Sequence, residues 1–402
     1  MGSAADFTQE ELESIKQGNE KCREALKENI GWKEEPWPEI PKFEHVEGEA
    51  LVEAYPIMGI EKYMGNADKA ERIAYFPQIK MCHDTTKTIA YVKFDKSLKE
   101  NLLIVDDKIA QETDLKGMDK FVKKFREWTG CKTNYLLISK NFEKVKAKGK
   151  GLGTSAAAGG ALAYAFTQAT MPKLLGNKRF LSVFSRYFGG SSTSSVAGGW
   201  SIWLSHKGID YKDSYGVRLD NGETKLRVVA VPIPSKIKTE DAHGSGEKSE
   251  WYTDWAVKKP EKCIKLMEAI KKDDVDAIGR IAELDSLNLF HILVSGNGFF
   301  NWEPETLELL RKVNMLRKER GLTCYASMDT GPSLAIITTK EQAEEVKREI
   351  EAHLKEMGRE KDYPAHFVDI AGEPKILPSG EKGALFTDAA KGILKEKGVE
   401  IE

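Results

Sequence analysis

Residues 149–160 read Gly-Lys-Gly-Leu-Gly-Thr-Ser-Ala-Ala-Ala-Gly-Gly, and this stretch decides the fold. Glycines precede a Thr-Ser pair that suits a helix start, and small residues follow it. Free backbone amides at a helix N-terminus bind anions, and glycines let a phosphate approach them closely. We therefore predict a phosphate loop leading into a helix over 154–169, with candidate ligands Lys148, Lys150, Gly151, Gly153, Thr154 and Ser155. Such a loop by itself also occurs as a plain turn, so the neighbouring motifs are needed to identify it as a phosphate loop.

The composition indicates a soluble intracellular protein. The 402 residues carry 61 basic and 63 acidic side chains, a formal charge of −2, which predicts no general affinity for nucleic acid or acidic membranes. The five cysteines are scattered without close pairs, which argues against a disulfide framework or a zinc site and fits a reducing cytoplasm. No signal peptide is visible. We expect a cytoplasmic protein with no metal site.

The length predicts two domains after an N-terminal extension. Residues 1–50 combine a Thr8–Glu11 capping box with three prolines, and we expect a surface wrap, with a lid or an interface as alternatives. Residues 51–234 hold short apolar runs typical of strands, and Leu226–Ile233 resembles their closing strand. Residues 235–402 are more helical, with Leu334–Thr338 as a strand between two amphipathic helices.

Three further motifs accompany the glycine loop. Gly59-Ile-Glu-Lys-Tyr-Met-Gly65 places a lysine and a tyrosine beside a glycine turn. Met328-Asp-Thr-Gly-Pro-Ser333 places a carboxylate in a tight turn ahead of a strand. Asp285-Ser286 and Phe290-His291 are expected at the end of a helix.

Together these motifs resemble the GHMP superfamily, and within it the diphosphomevalonate decarboxylase group. That group's Ile-Lys-Tyr-Trp-Gly-Lys matches Glu61 to Asn66, and its phosphate loop matches Ala147 to Ala158. Its Phe-Asp-Ala-Gly-Pro-Asn matches Met328 to Ser333, and its Asp-Ser and Phe-His pairs match the motif near 285–291. The order is collinear over about residues 55–340. The resemblance implies a two-domain α+β GHMP fold, with an S5-like N-terminal domain, a ferredoxin-like C-terminal domain and the active site in the cleft between them. It also implies a homodimer.

The chain departs from that group on the nucleotide side. Asn66 replaces the last lysine of the first motif, and Ile79 to His83 replaces a serine-rich stretch near the nucleotide pocket. Ser194 stands where the group has the arginine that holds the substrate carboxylate, although Arg186 could reach in from upstream. A carboxylate gripped less tightly would lose carbon dioxide more readily, provided that something orients it.

These departures favour a reaction without ATP. In the decarboxylases, ATP serves only to turn the tertiary oxygen into a leaving group. A substrate that arrives phosphorylated at C3 needs no nucleotide, but it still needs cations and amides for the departing phosphate. The pattern resembles archaeal bisphosphomevalonate decarboxylases, which convert mevalonate 3,5-bisphosphate into isopentenyl phosphate. The expected ligand is a small phosphorylated substrate, and no cofactor is expected.

The resemblance assigns Asp329 and Lys62 as the catalytic pair, with Asp329 facing C3 and Lys62 keeping it ionised. Lys148 and Lys150 clamp a phosphate in this hypothesis, or they are ordinary surface lysines. The candidate anion-binding or substrate-binding residues are Tyr63, Asn66, Lys80, His83, Arg186, Ser191, Ser192, Thr193 and Ser194. The four hydroxyl residues either donate to the 5-phosphate or cap the next element.

Two other hypotheses stay open. One is an ATP-dependent phosphomevalonate or diphosphomevalonate decarboxylase, or a mevalonate-type kinase, with ATP and magnesium as cofactors. The other is a catalytically silent sensor of a phosphorylated metabolite. Because a binding module has no need of the pair, retention of Asp329 with Lys62 speaks against the sensor.

Overall fold

The computed structural model describes residues 6–112, 115, 117–144, 153–235 and 239–399. The strands within these residues are β1 Gly48–Ala54, β2 Ile57–Gly59, β3 Gln78–Cys82, β4 Thr86–Phe94, β5 Leu102–Val105, β6 Lys108–Ala110, β7 Tyr135–Glu143, β8 Trp200–Trp203, β9 Gly216–Arg218, β10 Leu226–Val231, β11 Cys324–Ser327, β12 Leu334–Thr339, β13 His366–Val368 and β14 Lys375–Leu377. The α-helices are α1 Gln9–Ile30, α2 Met118–Thr129, α3 Thr154–Thr170, α4 Lys178–Arg186, α5 Ser192–Ala197, α6 Thr239–Gly246, α7 Tyr252–Val257, α8 Lys259–Lys271, α9 Val275–Asn297, α10 Pro304–Arg320, α11 Ala343–Glu356 and α12 Asp388–Glu396.

The strands form three sheets, and the α+β architecture is the predicted one. The largest has the order β14-β1-β4-β7-β5-β6, with β5 and β7 its one parallel pair in the described residues. The second runs β11-β12-β10-β13 and the third β2-β3-β8-β9, both antiparallel. The helix predicted over 154–169 is confirmed as α3, which packs on β1 and β4.

Small residues of α3 bring the serine-rich helix α5 close to it. A Cβ at Gly160 would lie 2.5 Å from Ser195 Oγ, so only glycine permits this spacing. On the other side of α3, aromatic rings fill the space beneath the large sheet. Phe166 lies 5.1 to 5.3 Å, centroid to centroid, from the rings of Phe94, Phe121, Phe125 and Tyr135.

The N-terminal extension is a packed layer on the body of the protein. The predicted capping box is present at Thr8 and Glu11 and begins α1, which packs on α8. The proline-containing stretch then brings Trp37 against the rings of Trp128 and Phe180. Ile15, Asn19, Cys22 and Leu26 of α1 are buried by this packing.

The sheets divide the chain differently from the predicted boundary at residue 234. Strand β10, which we expected to close the first domain, lies inside the second sheet between β12 and β13. The C-terminal residues return to the first domain, where β14 pairs with β1 and α12 covers the face carrying Leu51 and Tyr91. Local patterns could not show this, because strand partners far apart in sequence are chosen by packing. Within the described residues, no helix combines the length and apolar character that crossing a bilayer requires.

The ring cluster around Phe166 should contribute strongly to stability. Phe166→Ala removes a fully buried ring and leaves a cavity, so we expect a loss of about 3–5 kcal/mol in the free energy of unfolding. Urea denaturation measures this, with Phe300→Ala, at an exposed ring, as the matched control. Equal losses in both variants would contradict the assignment of the core.

Candidate active site

The segment 59–66, which we call the motif loop, begins at the end of β2 and is held by side chains from distant parts of the chain. Asp329 accepts from the Gly59 amide at 3.1 Å, and Asp285 accepts from the Lys62 amide at 2.7 Å. Three residues from α6, the turn after it and the start of α7 hold the end of the loop. His243 Nδ1 accepts from Gly65 N, Glu247 accepts from Asn66 N, and the Tyr252 hydroxyl donates to Met64 O. The loop therefore has its shape only when the C-terminal helices are in place.

Lys62 and Asp329 meet in the structure. Lys62 Nζ lies 3.0 Å from Asp329 Oδ1 and also donates to Gly59 O at 2.6 Å and Ser327 Oγ at 2.8 Å. The lysine side chain is buried, whereas the Asp329 side chain is 24% exposed. Asp329 is thus held from one side by an ammonium and an amide, while its open side faces the solvent.

The backbone on either side of Asp329 is also held. Ser286 Oγ accepts from Met328 N at 3.1 Å, and Asn301 Nδ2 donates to the carbonyl of Asp329 at 3.0 Å. The Asp285-Ser286 motif lies in the middle of α9 rather than at a helix end, as we had expected. The helix runs on to Asn297, where Gly298 in the left-handed conformation ends it.

Lys80 is a buried residue of β3, opposite Gly59 of β2, and lies near the Lys62–Asp329 pair. It is buried on β3, its Nζ lies 4.9 Å from the Tyr63 ring centre and 5.1 Å from that of Trp203, and it donates to Ser191 Oγ at 3.2 Å. No carboxylate of the described residues lies within ion-pair distance of it. Burial lowers the pKa of Lys80 to about 7, although the field of Asp329 opposes that change. An anion entering the site would give the Lys80 ammonium the negatively charged partner that the described residues do not supply.

Tyr63 and Asn66 interact with each other. The Tyr63 hydroxyl donates to Asn66 Oδ1 at 2.6 Å, and the Tyr63 ring packs on His243 and Trp203. Burial raises the pKa of Tyr63, so this hydroxyl remains a donor at neutral pH. Asn66, where the family has lysine, therefore orients the tyrosine.

His83 lies at the far end of β3. It is fully buried, and its Nδ1 shares a hydrogen bond with Thr85 Oγ1 at 2.9 Å. Burial lowers the pKa of His83 to about 4, so the ring is neutral at physiological pH. A neutral imidazole offers an anion a hydrogen bond but no charge.

The serine-rich helix α5 is buried along its whole length, and Ser191, the residue before it, is partly exposed. Ser191 contacts Lys80, whereas Thr193 Oγ1 donates to Gly190 O at 2.8 Å. Ser192 and Ser194 are fully buried, and their hydroxyls have no hydrogen-bond partner within the described residues.

Arg186 is fully buried in the first domain and does not join the Lys62–Asp329 pair. Its guanidinium donates to the carbonyls of Glu71 and Tyr211 at 2.9 Å and also to that of Ser214. These three bonds use the side chain to satisfy backbone acceptors. The suggestion that Arg186 reaches the substrate has no supporting contact among the described residues.

The glycine loop is described only from Gly153 onward. Lys148, Lys150 and Gly151 lie outside the described residues. Gly153 has φ +62°, and a Cβ there would collide with Ile57 O, so the start of α3 lies against β2, the strand that leads into the motif loop. Ser155 is exposed at that helix start. The start of α3 and the Lys62–Asp329 pair are therefore neighbours through β2.

Several contacting residues escaped the sequence analysis, and one group is a buried ionic cluster. Lys259 Nζ lies 2.8 Å from Glu61 Oε2 and also pairs with Asp285, and all three side chains are completely buried. In the sequence, the charged Glu61 next to Lys62 could have indicated a member of this cluster. Lys259, Asn301 and Ser327 carried none, because only the fold brings them close. The described residues contain no group of three or more His, Cys, Asp or Glu side chains arranged to hold a metal ion.

Comparisons with known proteins agree with this geometry. The family model of a diphosphomevalonate decarboxylase-like N-terminal domain matches residues 54–216. The mevalonate 3,5-bisphosphate decarboxylase of Thermoplasma volcanium is 30% identical over 308 residues, covering 74% of this chain and 79% of that protein. The phosphomevalonate decarboxylase of Haloferax volcanii is 27% identical over 339 residues, covering 84% and 99%.

Solved structures share the fold. A mevalonate diphosphate decarboxylase from Enterococcus faecalis superimposes with a TM-score of 0.73 at 23% identity, over 83% of this chain and 100% of that chain. The mevalonate-3-kinase of Thermoplasma acidophilum superimposes with a TM-score of 0.68 at 16% identity, over 83% and 99%. The predicted two-domain GHMP fold is confirmed.

The environment of Lys80 predicts a pH-dependent stability. Its native pKa of about 7 lies below the ordinary 10.5, so between these values the unfolded chain binds more protons than the native one. The free energy of unfolding should therefore rise with pH across this window, and Lys80→Met should flatten the rise. Chemical denaturation from pH 6.5 to 10 tests this, with Lys265→Met, an exposed lysine, as control. Parallel curves for wild type and Lys80→Met would contradict it.

Proposed function

This chain belongs to the diphosphomevalonate decarboxylase family of the GHMP superfamily, and we propose that it decarboxylates mevalonate 3,5-bisphosphate without ATP. The products are isopentenyl phosphate, carbon dioxide and inorganic phosphate. The observation that carries the proposal is the Lys62–Asp329 pair, in which the Asp329 side chain is 24% exposed, beside a buried lysine with no anion partner among the described residues. A relative named for this reaction, 30% identical over most of both chains, supports it.

The chemistry separates into two bond cleavages. The C3–O bond breaks first, and the departing phosphate takes the electron pair. The carboxylate of Asp329, paired with Lys62, stabilises the positive charge that grows at C3. The C–C bond to the carboxyl group then breaks, its electrons form the double bond, and carbon dioxide leaves. No oxidant, reductant or phosphoryl donor is needed for this balance.

We assign the anionic ends of the substrate to the cationic and hydroxyl groups around the pair. Lys80 with Ser191 would bind one anion, and an arriving negative charge would favour the protonated form of Lys80. On substrate binding, Tyr63 would turn its single hydroxyl proton from Asn66 Oδ1 to the same group. The amides at the start of α3, with Lys148 and Lys150, would take a second phosphate. If the anion at Lys80 is the substrate carboxylate, Lys80 takes the place of the missing family arginine. A single lysine holds the carboxylate less tightly than an arginine, so the carboxylate can still lose its charge as carbon dioxide leaves.

A second candidate is an ATP-dependent phosphomevalonate decarboxylase. The Haloferax volcanii relative named for that activity is matched over 99% of its length, which favours this alternative specifically. The GHMP fold places a nucleotide by its phosphate loop, so residues 148–155 would hold the ATP phosphates in that case. Two positions that the family uses on the nucleotide side speak against this alternative. Ile79 to Cys82 lie in the buried strand β3, and Asn66 is hydrogen-bonded to Tyr63.

The proposal extends to the setting of the enzyme. We infer a cytoplasmic enzyme of an archaeal mevalonate pathway, acting as a homodimer. The buried free thiols of all five cysteines support a reducing compartment. The source organisms of the named relatives support the archaeal setting.

Turnover without nucleotide tests the proposed function. Purified enzyme supplied with mevalonate 3,5-bisphosphate alone should release carbon dioxide and phosphate and form isopentenyl phosphate, and added ATP should not change the rate. Turnover only with ATP and a substrate bearing a free C3 hydroxyl would transfer the assignment to the second candidate. Tight binding of the bisphosphate with no product would indicate the sensor.

Asp329→Asn tests the catalytic pair. It keeps the size of the side chain but removes the charge that faces C3, so we expect kcat to fall by at least about 10²–10³-fold. The substrate Kd should change by less than about threefold, because Asp329 opposes no cation of the substrate. Asp362→Asn, at an exposed aspartate, is the matched control. An unchanged kcat in Asp329→Asn would refute the role.

A further inference from the structure

A fully buried ammonium group lies directly behind the motif loop. Lys259, the first residue of α8, places its Nζ 2.8 Å from Glu61 Oε2 and against Asp285 Oδ2, and none of the three side chains has any exposed area. The Trp255 ring covers the same ammonium, with its centre 4.1 Å from Nζ. Burying three charges together is costly, and such a cluster is not an efficient way to gain stability.

The cluster is joined to the catalytic pair by a continuous series of bonds. Asp285 Oδ2 contacts Lys259 and also accepts from the backbone amide of Lys62 at 2.7 Å. The side chain of that same Lys62 then donates to Asp329. The Trp255 indole, donating to Asp285 Oδ1 at 2.8 Å, fixes the other oxygen of the carboxylate. The orientation of Asp285 therefore sets where the backbone of Lys62 lies.

We propose that Lys259 is a positioning residue for catalysis: by neutralising Glu61 and Asp285 together, it holds Asp285 on the Lys62 amide and thereby aims the Lys62 ammonium at Asp329. The consequence for turnover rests on the proposed function. The consequence for the motif loop does not.

The charge balance explains why Lys259 is needed. Two carboxylates this close cannot both stay ionised without a cation between them. Burial raises the pKa of Glu61 to about 7, with Asp285 adding to the rise and Lys259 and Lys262 opposing it. Burial also acts to raise the pKa of Asp285, but Lys259 and Lys262 outweigh it and hold that pKa below its usual range. The buried thiol of Cys263 also faces the cluster. Without Lys259, one carboxyl would take a proton and the bond to the Lys62 amide would weaken.

Lys259→Met tests the proposal at the site itself. We expect kcat to fall by about 10- to 100-fold with KM changed by less than about threefold, because the reacting groups are displaced while the substrate contacts remain. Lys265→Met, on the exposed face of the same helix, should behave as wild type. The pH–rate profile of Lys259→Met should acquire a new decline above neutral pH, as Glu61 and Asp285 come to compete for charge. A raised KM with an unaltered kcat would overturn the proposal.

Trp255→Phe supplies a milder variant, which keeps an aromatic ring in the buried position beside Lys259. It removes the indole donor to Asp285 Oδ1, so the protein should fold while kcat falls in the same direction by a smaller factor, with KM again unchanged. Trp251→Phe, at a largely exposed ring nearby, is the matched control. Equal kcat values for the two tryptophan variants would count against the orientation of Asp285 as the determining step.

Hydrogen exchange separates this proposal from the proposed function. In the substrate-free enzyme, Lys259→Met and Trp255→Phe should speed amide exchange in the peptide spanning 59–66 by about 10-fold or more, and leave peptides from β4 and β7 unchanged. An inactive wild type would defeat the proposed function and leave this measurement valid. Unchanged exchange in the 59–66 peptide of both variants would defeat the positioning role, whatever the enzyme turns over.

Discussion

The backbone of the motif loop has few strand partners of its own, and this constraint governs the whole active site. Two of its amides donate to Ile79 O on β3, but five further amides and carbonyls bond to side chains from the C-terminal half of the chain. These side chains are those of Asp329, Asp285, His243, Glu247 and Tyr252. A buried polar backbone group without a partner is costly, so the loop and the C-terminal helices fold as one unit. Lys62 is carried on that loop, and its position therefore depends on both halves of the chain.

Three buried lysines surround the site, and their partners give each a different character. Lys62 has one carboxylate and two neutral acceptors, and Lys259 has two carboxylates, which outweigh burial and raise its pKa. Lys80 has two aromatic rings and one hydroxyl, and burial prevails. The charges around each lysine thus set its role: Lys62 is the counter-ion of Asp329, and Lys259 bridges two carboxylates. Of the three, Lys80 alone has no carboxylate partner among the described residues, so it is the one that can pair with an anionic substrate.

The ends of the chain strengthen the frame that carries these groups. Helix α1 packs on α8, the helix that begins with Lys259, through the buried residues Cys22 and Leu26. At the other end, β14 and α12 return to the large sheet. The chain therefore crosses between the two halves several times, which resists their separation.

The sequence by itself determined the local elements and the order of the motifs. The α3 helix, the capping box at Thr8 and the helix ending at Gly321 follow from short-range spacing and capping, which depend on near neighbours. The match of four collinear motifs also determined the family and the pairing of Lys62 with Asp329. Only the tertiary structure decided that β10 belongs to the second sheet, that Arg186 binds backbone carbonyls, and that Lys259 lies behind the motif loop. These facts join residues up to 198 positions apart, as between Lys259 and Glu61, and such contacts are selected by packing and charge balance that no local pattern records.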